Sequence, residues 1–327
     1  MRASRRIRRA VLGLCLYLAF SAVGGIFLAD GTLHPVRRPL TEDEIVEAQR
    51  SAQALNAELE DASITTSDGV VLRGWMVHPH RSNGNAVILL HGLADNRVGT
   101  TGYAQLFVEH GYTVLMPDAR AHGVSGGALA TYGLLERNDI REWFDFLREK
   151  EHPGCIFGFG ESMGAAQLLQ SLDAGTHFCA VAAESPFATF REIAYDRMGQ
   201  PFHLGPWVGR TLLRPLVEAA LLRARWKYGL DMEKISPTES VARTTVPVLL
   251  IHGQVDSNIP VRHSRLIHVH NPNTQLWEVP GADHCGAIGV APQEFERRLL
   301  GWWTFWSKDQ QRGMEVSGGR DASTSPR

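Results

Sequence analysis

Short apolar runs alternate along this 327-residue chain with segments whose apolar residues recur at helical spacing. Strands that are apolar throughout are typical of a parallel sheet that helices cover on both faces. The sequence therefore predicts an α/β fold with a mostly parallel sheet and helices on both of its faces. The predicted strands are 85–92, 112–118, 155–160, 178–184, 247–253 and 274–281, and the predicted helices are 103–111, 135–150, 163–172, 260–270 and 292–307.

The first 29 residues predict a membrane anchor. Five arginines in the basic N-terminus, residues 1–9, precede an uncharged stretch over 10–29. About 20 apolar residues suffice to cross a bilayer, and the arginine excess should keep the N-terminus in the cytoplasm and the main domain outside it. A signal peptide cleaved near Ala19 and Ser21, which would give a secreted product, is one alternative, and a buried helix of a soluble domain is another.

The main domain is expected over 62–307. Residues 30–61 before it are expected to form a juxtamembrane linker, which includes a helix over 41–61 with a capping box of Thr41 and Glu44. The domain should open with a hairpin over 63–79.

A long interval, residues 187–246, separates two strands that should lie close together. A connection of this length inside a compact domain is usually functional. We therefore expect a short helical lid over the carboxyl edge of the sheet. The tail after the last helix, residues 308–327, is expected to be disordered.

Charge and cysteine content exclude several classes of protein. A net charge of −2 argues against a nucleic-acid binder, which would normally present a basic face. The cysteines show neither a disulfide framework nor a paired metal motif. Cys155 and Cys179 could form one bridge, but we expect them to stay free because both begin neighbouring strands. The chain also lacks the glycine-rich motifs that bind dinucleotides or phosphates, so no cofactor and no metal is expected.

A serine between two glycines marks the most informative turn. Gly160, Ser162 and Gly164 form the pattern G-x-S-x-G, directly after an apolar strand and at the start of a helix. This pattern in this context predicts a sharp turn that exposes a nucleophilic serine.

A nucleophilic serine needs a base and a group that orients the base. Asp256 follows one predicted strand and His284 follows the last one, so that Ser162, Asp256 and His284 occur in the chain order of a known class of hydrolase. Their positions after strands should bring them to one edge of the sheet. Glu184, at the end of another strand, is an alternative to Asp256. Asp283, next to the histidine, is expected to point away from its ring.

Two backbone N–H groups are the expected donors to the oxyanion. The first belongs to Met163, which follows the serine, and the second to Leu93, in the loop after the strand 85–92. The loop 117–127 also lies at the active-site edge, and we expect its polar side chains to hydrogen-bond within the loop.

Together these motifs resemble the α/β-hydrolase superfamily over 62–307, most closely its serine-aminopeptidase and monoacylglycerol-lipase-like branch, which includes membrane-anchored hydrolases with a short helical lid. The segments that carry the resemblance are LLHGLADNR, PDARAHGVSGG, GFGESMGAA, IHGQVDSNIP and PGADHCG. The family loop more often has glycine where this chain has Ala121.

The resemblance implies a serine hydrolase that acts through an acyl-enzyme intermediate on a small-molecule acyl substrate, a carboxylic ester or thioester. Amide or peptide hydrolysis is an alternative, and so is a hydrolase fold without catalysis that serves as a binding protein. The expected partners are the acyl substrate and, through the N-terminal helix, a membrane.

Overall fold

The computed structural model describes residues 2–200 and 205–321. Its strands are β1 (Ala57–Thr65), β2 (Val71–Pro79), β3 (Ala86–Leu90), β4 (Thr113–Pro117), β5 (Ile156–Glu161), β6 (Ala180–Glu184), β7 (Val248–Gly253) and β8 (Thr274–Val279). They form one sheet in the order β1-β2-β4-β3-β5-β6-β7-β8. From β4 to β8 all neighbouring strands are parallel, whereas β2 is antiparallel to both β1 and β4. The predicted α/β fold is confirmed.

Helices cover both faces of the sheet. On one face Trp303 stacks on Phe157, and on the other Trp143 and Leu168 are fully buried. The α-helices of the described residues are α1 (Arg2–Leu33), α2 (Glu42–Ala54), α3 (Thr101–Glu109), α4 (Glu136–Glu151), α5 (Ser162–Ser171), α6 (Phe190–Gly199), α7 (Trp207–Arg210), α8 (Arg214–Tyr228), α9 (Pro237–Arg243), α10 (Arg262–His268), α11 (Ala287–Val290) and α12 (Pro292–Asp321).

The interval 187–246, called the lid below, contains the four helices α6 to α9. The first helix of the chain, α1, contains a segment, Ser4–Leu33, that is long and apolar enough to cross a membrane. The C-terminal half of α1 packs along α8 of the lid, where Gly25 lies against Ala219 and Ala220.

The predicted linker helix is shorter than expected. Its capping box of Thr41 and Glu44 is present, but Asn56 adopts a left-handed φ of 50° just after the end of α2, and β1 follows directly. The prediction of a helix up to residue 61 is wrong. The spacing of the apolar residues in this segment fits a strand as well as a helix, and hydrogen-bonded pairing with β2 selects the strand. The sheet domain therefore begins at Ala57.

The closing helix is longer than expected. It continues to Asp321, so the prediction of disorder is wrong for 308–321. The segment from 308 to 316 is rich in lysine, glutamine, arginine, methionine and glutamate. These residues have high helix propensity and extend a helix that packing has already nucleated. The remaining tail residues, 322–327, lie outside the described residues.

Cys155 and Cys179 form a disulfide, contrary to the expectation that they stay free. They stand immediately before β5 and β6, which are adjacent parallel strands. Their Cα atoms are 5.7 Å apart, within the range that a disulfide spans. Two cysteines that begin neighbouring strands therefore favour a bridge when the register sets them side by side.

Candidate active site

Ser162 lies at the turn from β5 into α5 and has a positive φ of 52°. The turn brings neighbouring backbone segments into contact, so that a Cβ at Gly160 would lie 2.7 Å from the carbonyl carbon of Gly164. A Cβ at Gly164 would lie 2.6 Å from the carbonyl oxygens of Leu90 and His91. Both glycines of the motif are therefore required by the close approach of backbone, and the turn presents the serine at the carboxyl edge of the sheet.

The structure brings the three predicted side chains together. His284 Nε2 lies 2.8 Å from Ser162 Oγ, and His284 Nδ1 lies 2.9 Å from Asp256 Oδ2. Asp256 follows β7 and His284 follows β8, as the sequence predicted. The imidazole can therefore accept the serine proton at Nε2 while its Nδ1–H donates to the carboxylate.

The carboxylate of Asp256 is buried but well supplied with donors. The backbone N–H groups of Asn258 and Ile259 donate to its Oδ1, over 2.9 and 2.7 Å, and His252 Nε2 lies 3.3 Å from its Oδ2. Burial alone would raise the pKa of Asp256, but hydrogen bonds from His252 and His284 outweigh it and hold that pKa well below its usual range. Asp256 is thus ionised at neutral pH, as the group that orients His284 must be.

His252 was missed by the sequence analysis, although it is the penultimate residue of β7 and stands in the quoted segment IHGQVDSNIP. It is fully buried, and its Nδ1 lies 2.7 Å from Ser264 Oγ. Its Nε2 lies 2.7 Å from the carbonyl oxygen of Ile259, next to the carboxylate of Asp256.

Glu184, the alternative acid, is engaged elsewhere. Tyr103 Oη–H and the N–H of Ala287 both donate to its carboxylate, each over 2.9 Å. Asp283 accepts from the N–H of His284 and from Ser257, and so points away from the imidazole, as expected.

The two predicted oxyanion donors border the serine. Met163 and Leu93 line the same cavity as Ser162. His91 shapes the turn before Leu93, because its Nε2 accepts from the N–H of Ala119 over 3.0 Å and its Nδ1 lies 2.7 Å from the carbonyl oxygen of Gly92. Within the described residues, no acceptor occupies the N–H of Leu93.

Glu161, the residue just before the serine, also contacts the loop that follows β3. Its Oε1 accepts from the N–H of Gly92 over 3.3 Å. Burial, followed by the nearby charge of Glu184, raises the pKa of Glu161 to about 7. Nothing in the sequence distinguishes Glu161, because the second position of G-x-S-x-G is otherwise unrestricted.

Replacing Glu161 by glutamine should therefore stabilise the protein in a pH-dependent way. The unfolded chain loses this proton near the ordinary pKa of 4.5 and the folded chain near 7, so the ionisation destabilises the folded state progressively between these pH values. Because glutamine carries no such proton, Glu161→Gln should gain up to about 3 kcal/mol at pH 8 relative to pH 4. Thermal unfolding midpoints of the variant and the wild type at both pH values measure the gain. If the midpoint of the variant differs from that of the wild type by the same amount at pH 4 and pH 8, the raised pKa of Glu161 is contradicted.

The loop 117–127 is held together in part by hydrogen bonds of its own polar groups, as expected, and in part by ion pairs with neighbouring segments, which were not expected. Asp118 is fully buried and forms an ion pair of 2.7 Å with Arg97, and Ser125 Oγ–H donates to the carbonyl oxygen of Asp118 over 2.8 Å. Arg120 pairs with Asp139. Ala121 has a positive φ of 60°, which explains why glycine is the more usual residue there.

A cavity of about 550 Å³ opens beside Ser162, a size typical of small-molecule sites. Its walls are mostly apolar, and Arg197 is the one charged side chain among its described lining residues. The lid contributes Ile193, Val217 and Leu221. The end of α1 forms another part of the cavity wall. The sequence analysis had assigned this segment to the membrane anchor and the linker and had given it no part in the site.

The comparisons with known proteins agree with this geometry. The sequence model of the Alpha/beta hydrolase family matches residues 87–298. The Bacillus subtilis protein YqkD is 33% identical over 210 residues, which are 63% of this chain and 66% of YqkD. The Escherichia coli protein YfhR is 27% identical over 240 residues, which are 70% of this chain and 74% of YfhR. The solved structure of the Pyrococcus furiosus esterase Pf2001 is 26% identical and superposes with a TM-score of 0.65, over 84% of this chain and 99% of that one.

Proposed function

Because this chain belongs to the Alpha/beta hydrolase family, we propose that it is a membrane-anchored serine hydrolase that cleaves carboxylic esters or thioesters. The continuous hydrogen-bonded path from Ser162 Oγ through His284 to Asp256 carries this proposal. A serine hydroxyl is a weak nucleophile until a base removes its proton, and this path supplies both the base and the group that orients it.

In the proposed reaction, Ser162 Oγ attacks the acyl carbon while its proton moves to His284 Nε2. The N–H groups of Met163 and Leu93 donate to the resulting oxyanion, and Asp256 stabilises the imidazolium. The C–O or C–S bond of the substrate then breaks, and the alcohol or thiol leaves with the proton from Nε2. Water attacks the acyl-enzyme by the same route, with His284 as its base, and releases the carboxylic acid.

The chemistry of the cavity favours esters over aminoacyl amides. An enzyme that trims peptides from their N-terminus needs a carboxylate to hold the substrate ammonium group. The described lining residues offer none, and Arg197 would repel that group. The apolar walls instead suit an acyl chain. The Pyrococcus protein to which the chain is similar is itself named an esterase.

A series of p-nitrophenyl esters of increasing acyl length tests this function. Each added methylene that enters the apolar cavity should contribute up to about 0.8 kcal/mol to binding, so kcat/KM should rise with chain length until the cavity is full and then fall. Acyl thioesters belong in the same series, and aminoacyl anilides are the matched amide substrates. Faster cleavage of the anilides than of the esters would replace the proposal by amide hydrolysis.

We further propose that α1 is an uncleaved anchor and that the catalytic domain is extracytoplasmic. The length and apolar character of Ser4–Leu33 support the anchor. The disulfide Cys155–Cys179 supports the location, because disulfides persist mainly in oxidising compartments outside the cytosol. Full-length protein should remain with membranes after alkaline carbonate washing, whereas a soluble product without residues 1–21 would show signal-peptide cleavage.

A further inference from the structure

The C-terminal half of α1 is built into the catalytic domain. It runs beside α8 of the lid so closely that a Cβ at Gly25 would lie 2.5 Å from Ala219 Cβ and 2.8 Å from the carbonyl oxygen of Leu216. Asp30 of α1 accepts a hydrogen bond from Tyr228 Oη–H over 2.9 Å and lies 3.2 Å from Lys227 Nζ. A helix that served only as a tether would need neither the close packing nor the polar contacts.

The end of α1 also contacts the main domain beside the serine. Leu33 is fully buried, and its carbonyl oxygen accepts from the N–H of Ala130 over 3.0 Å. Tyr132 Oη–H donates to the carbonyl oxygen of Thr32 over 2.9 Å. Just beyond the helix, Arg37 donates to the carbonyl oxygen of Ser125 over 2.7 Å. The segment is thus held between the lid and the loops at the carboxyl edge of the sheet.

Side chains of this segment line the cavity that contains Ser162. Leu28, Ala29, Thr32 and Leu33 lie on its wall, together with residues of α8. Phe27 and Val36 also line the cavity but are 75% and 84% exposed, so they belong to its rim. Phe27 also lies within the segment that is long and apolar enough to cross a membrane, so the proposed anchor would bring the rim of the cavity close to the lipid.

From these contacts we infer that the end of α1, residues 27–33, is a wall of the substrate pocket and sets the acyl-chain length that the enzyme accepts. The substrates are then esters whose acyl chains reside in a membrane and pass over an apolar rim into the cavity. This inference rests on the proposed ester hydrolysis at Ser162.

Two glycines of α1 provide a matched test. A Cβ at Gly31, which lines the cavity, meets no atom within 4 Å, and the same holds at Gly13, which is not among the lining residues. Gly31→Trp therefore places an indole at the pocket wall, whereas Gly13→Trp adds the same group elsewhere on the same helix. Both full-length variants are reconstituted in phosphatidylcholine vesicles and assayed with p-nitrophenyl acetate and with p-nitrophenyl palmitate dissolved in the bilayer.

Gly31→Trp should lower kcat/KM for the palmitate by about tenfold or more, since even one methylene changes binding in an apolar pocket by that factor, and should lower it much less for the acetate, whose short acyl chain needs less of the cavity. Gly13→Trp should change neither. A second variant, Leu28→Ala, widens the wall and should shift the preferred ester to a longer chain, which keeps the inference testable if Gly31→Trp does not fold. An unchanged chain-length profile in Leu28→Ala, or equal losses on both esters in Gly31→Trp, would overturn it. Failure of the wild type to cleave even the acetate would instead overturn the proposed function.

Discussion

Ser162→Ala should reduce kcat for ester hydrolysis by about 10⁴-fold or more, because the oxyanion donors and the pocket alone supply only a small residual acceleration. Ser162 Oγ is the atom that His284 Nε2 contacts at 2.8 Å, and alanine leaves that position without a nucleophile. Single-turnover and steady-state rates on the best p-nitrophenyl ester measure the loss.

Ser171→Ala is the matched control for this substitution. Ser171 lies at the end of the same helix, α5, and its hydroxyl donates to the carbonyl oxygen of Leu168 over 2.7 Å. Its removal should leave kcat close to wild type. Retention of activity by Ser162→Ala, with an unchanged circular dichroism spectrum, would exclude Ser162 as the nucleophile.

Asp256→Asn should have the second-largest effect, a loss of about 10⁴ in kcat, because an amide cannot stabilise the imidazolium and favours the wrong histidine tautomer. The Asp256 carboxylate is fully buried, and its Oδ2 lies 2.9 Å from His284 Nδ1. The backbone donors at Asn258 and Ile259 would still hold the asparagine oxygen, so the fold should persist.

Glu184→Gln is the discriminating control. Glu184 accepts from Tyr103 and Ala287 rather than from the imidazole, so its neutral variant should lose much less activity than Asp256→Asn. A greater loss in Glu184→Gln than in Asp256→Asn would transfer the orienting role to Glu184.

The side chains of the candidate active site could be located from the sequence because each follows a strand. Parallel strands end at one edge of the sheet, so Ser162, Asp256 and His284 had to lie near one another once the strands were recognised. The same reasoning placed Leu93 and Met163 beside the serine. The glycines on either side of the serine were independent evidence for the sharp turn, because the backbone segments at these two positions approach too closely for a Cβ atom.

Features that depend on packing between distant segments could not be predicted in this way. The apolar spacing of α1 is that of any membrane helix, and nothing in it indicates that Leu33 would be buried beside the active site. The role of Glu161 depends on its contact with Gly92, 69 positions earlier. The strand β1 was taken for the end of a helix because its pairing partner, β2, decides its conformation.

The residue of this protein that reacts with a fluorophosphonate identifies its nucleophile. Such probes phosphonylate a serine only when a neighbouring base activates it. Full-length protein is labelled in detergent and digested, and its modified peptide is sequenced by mass spectrometry. We expect a phosphonate on Ser162 and none in the Ser162→Ala protein. A label on a different residue, or continued ester hydrolysis by protein with no label at Ser162, would contradict this expectation.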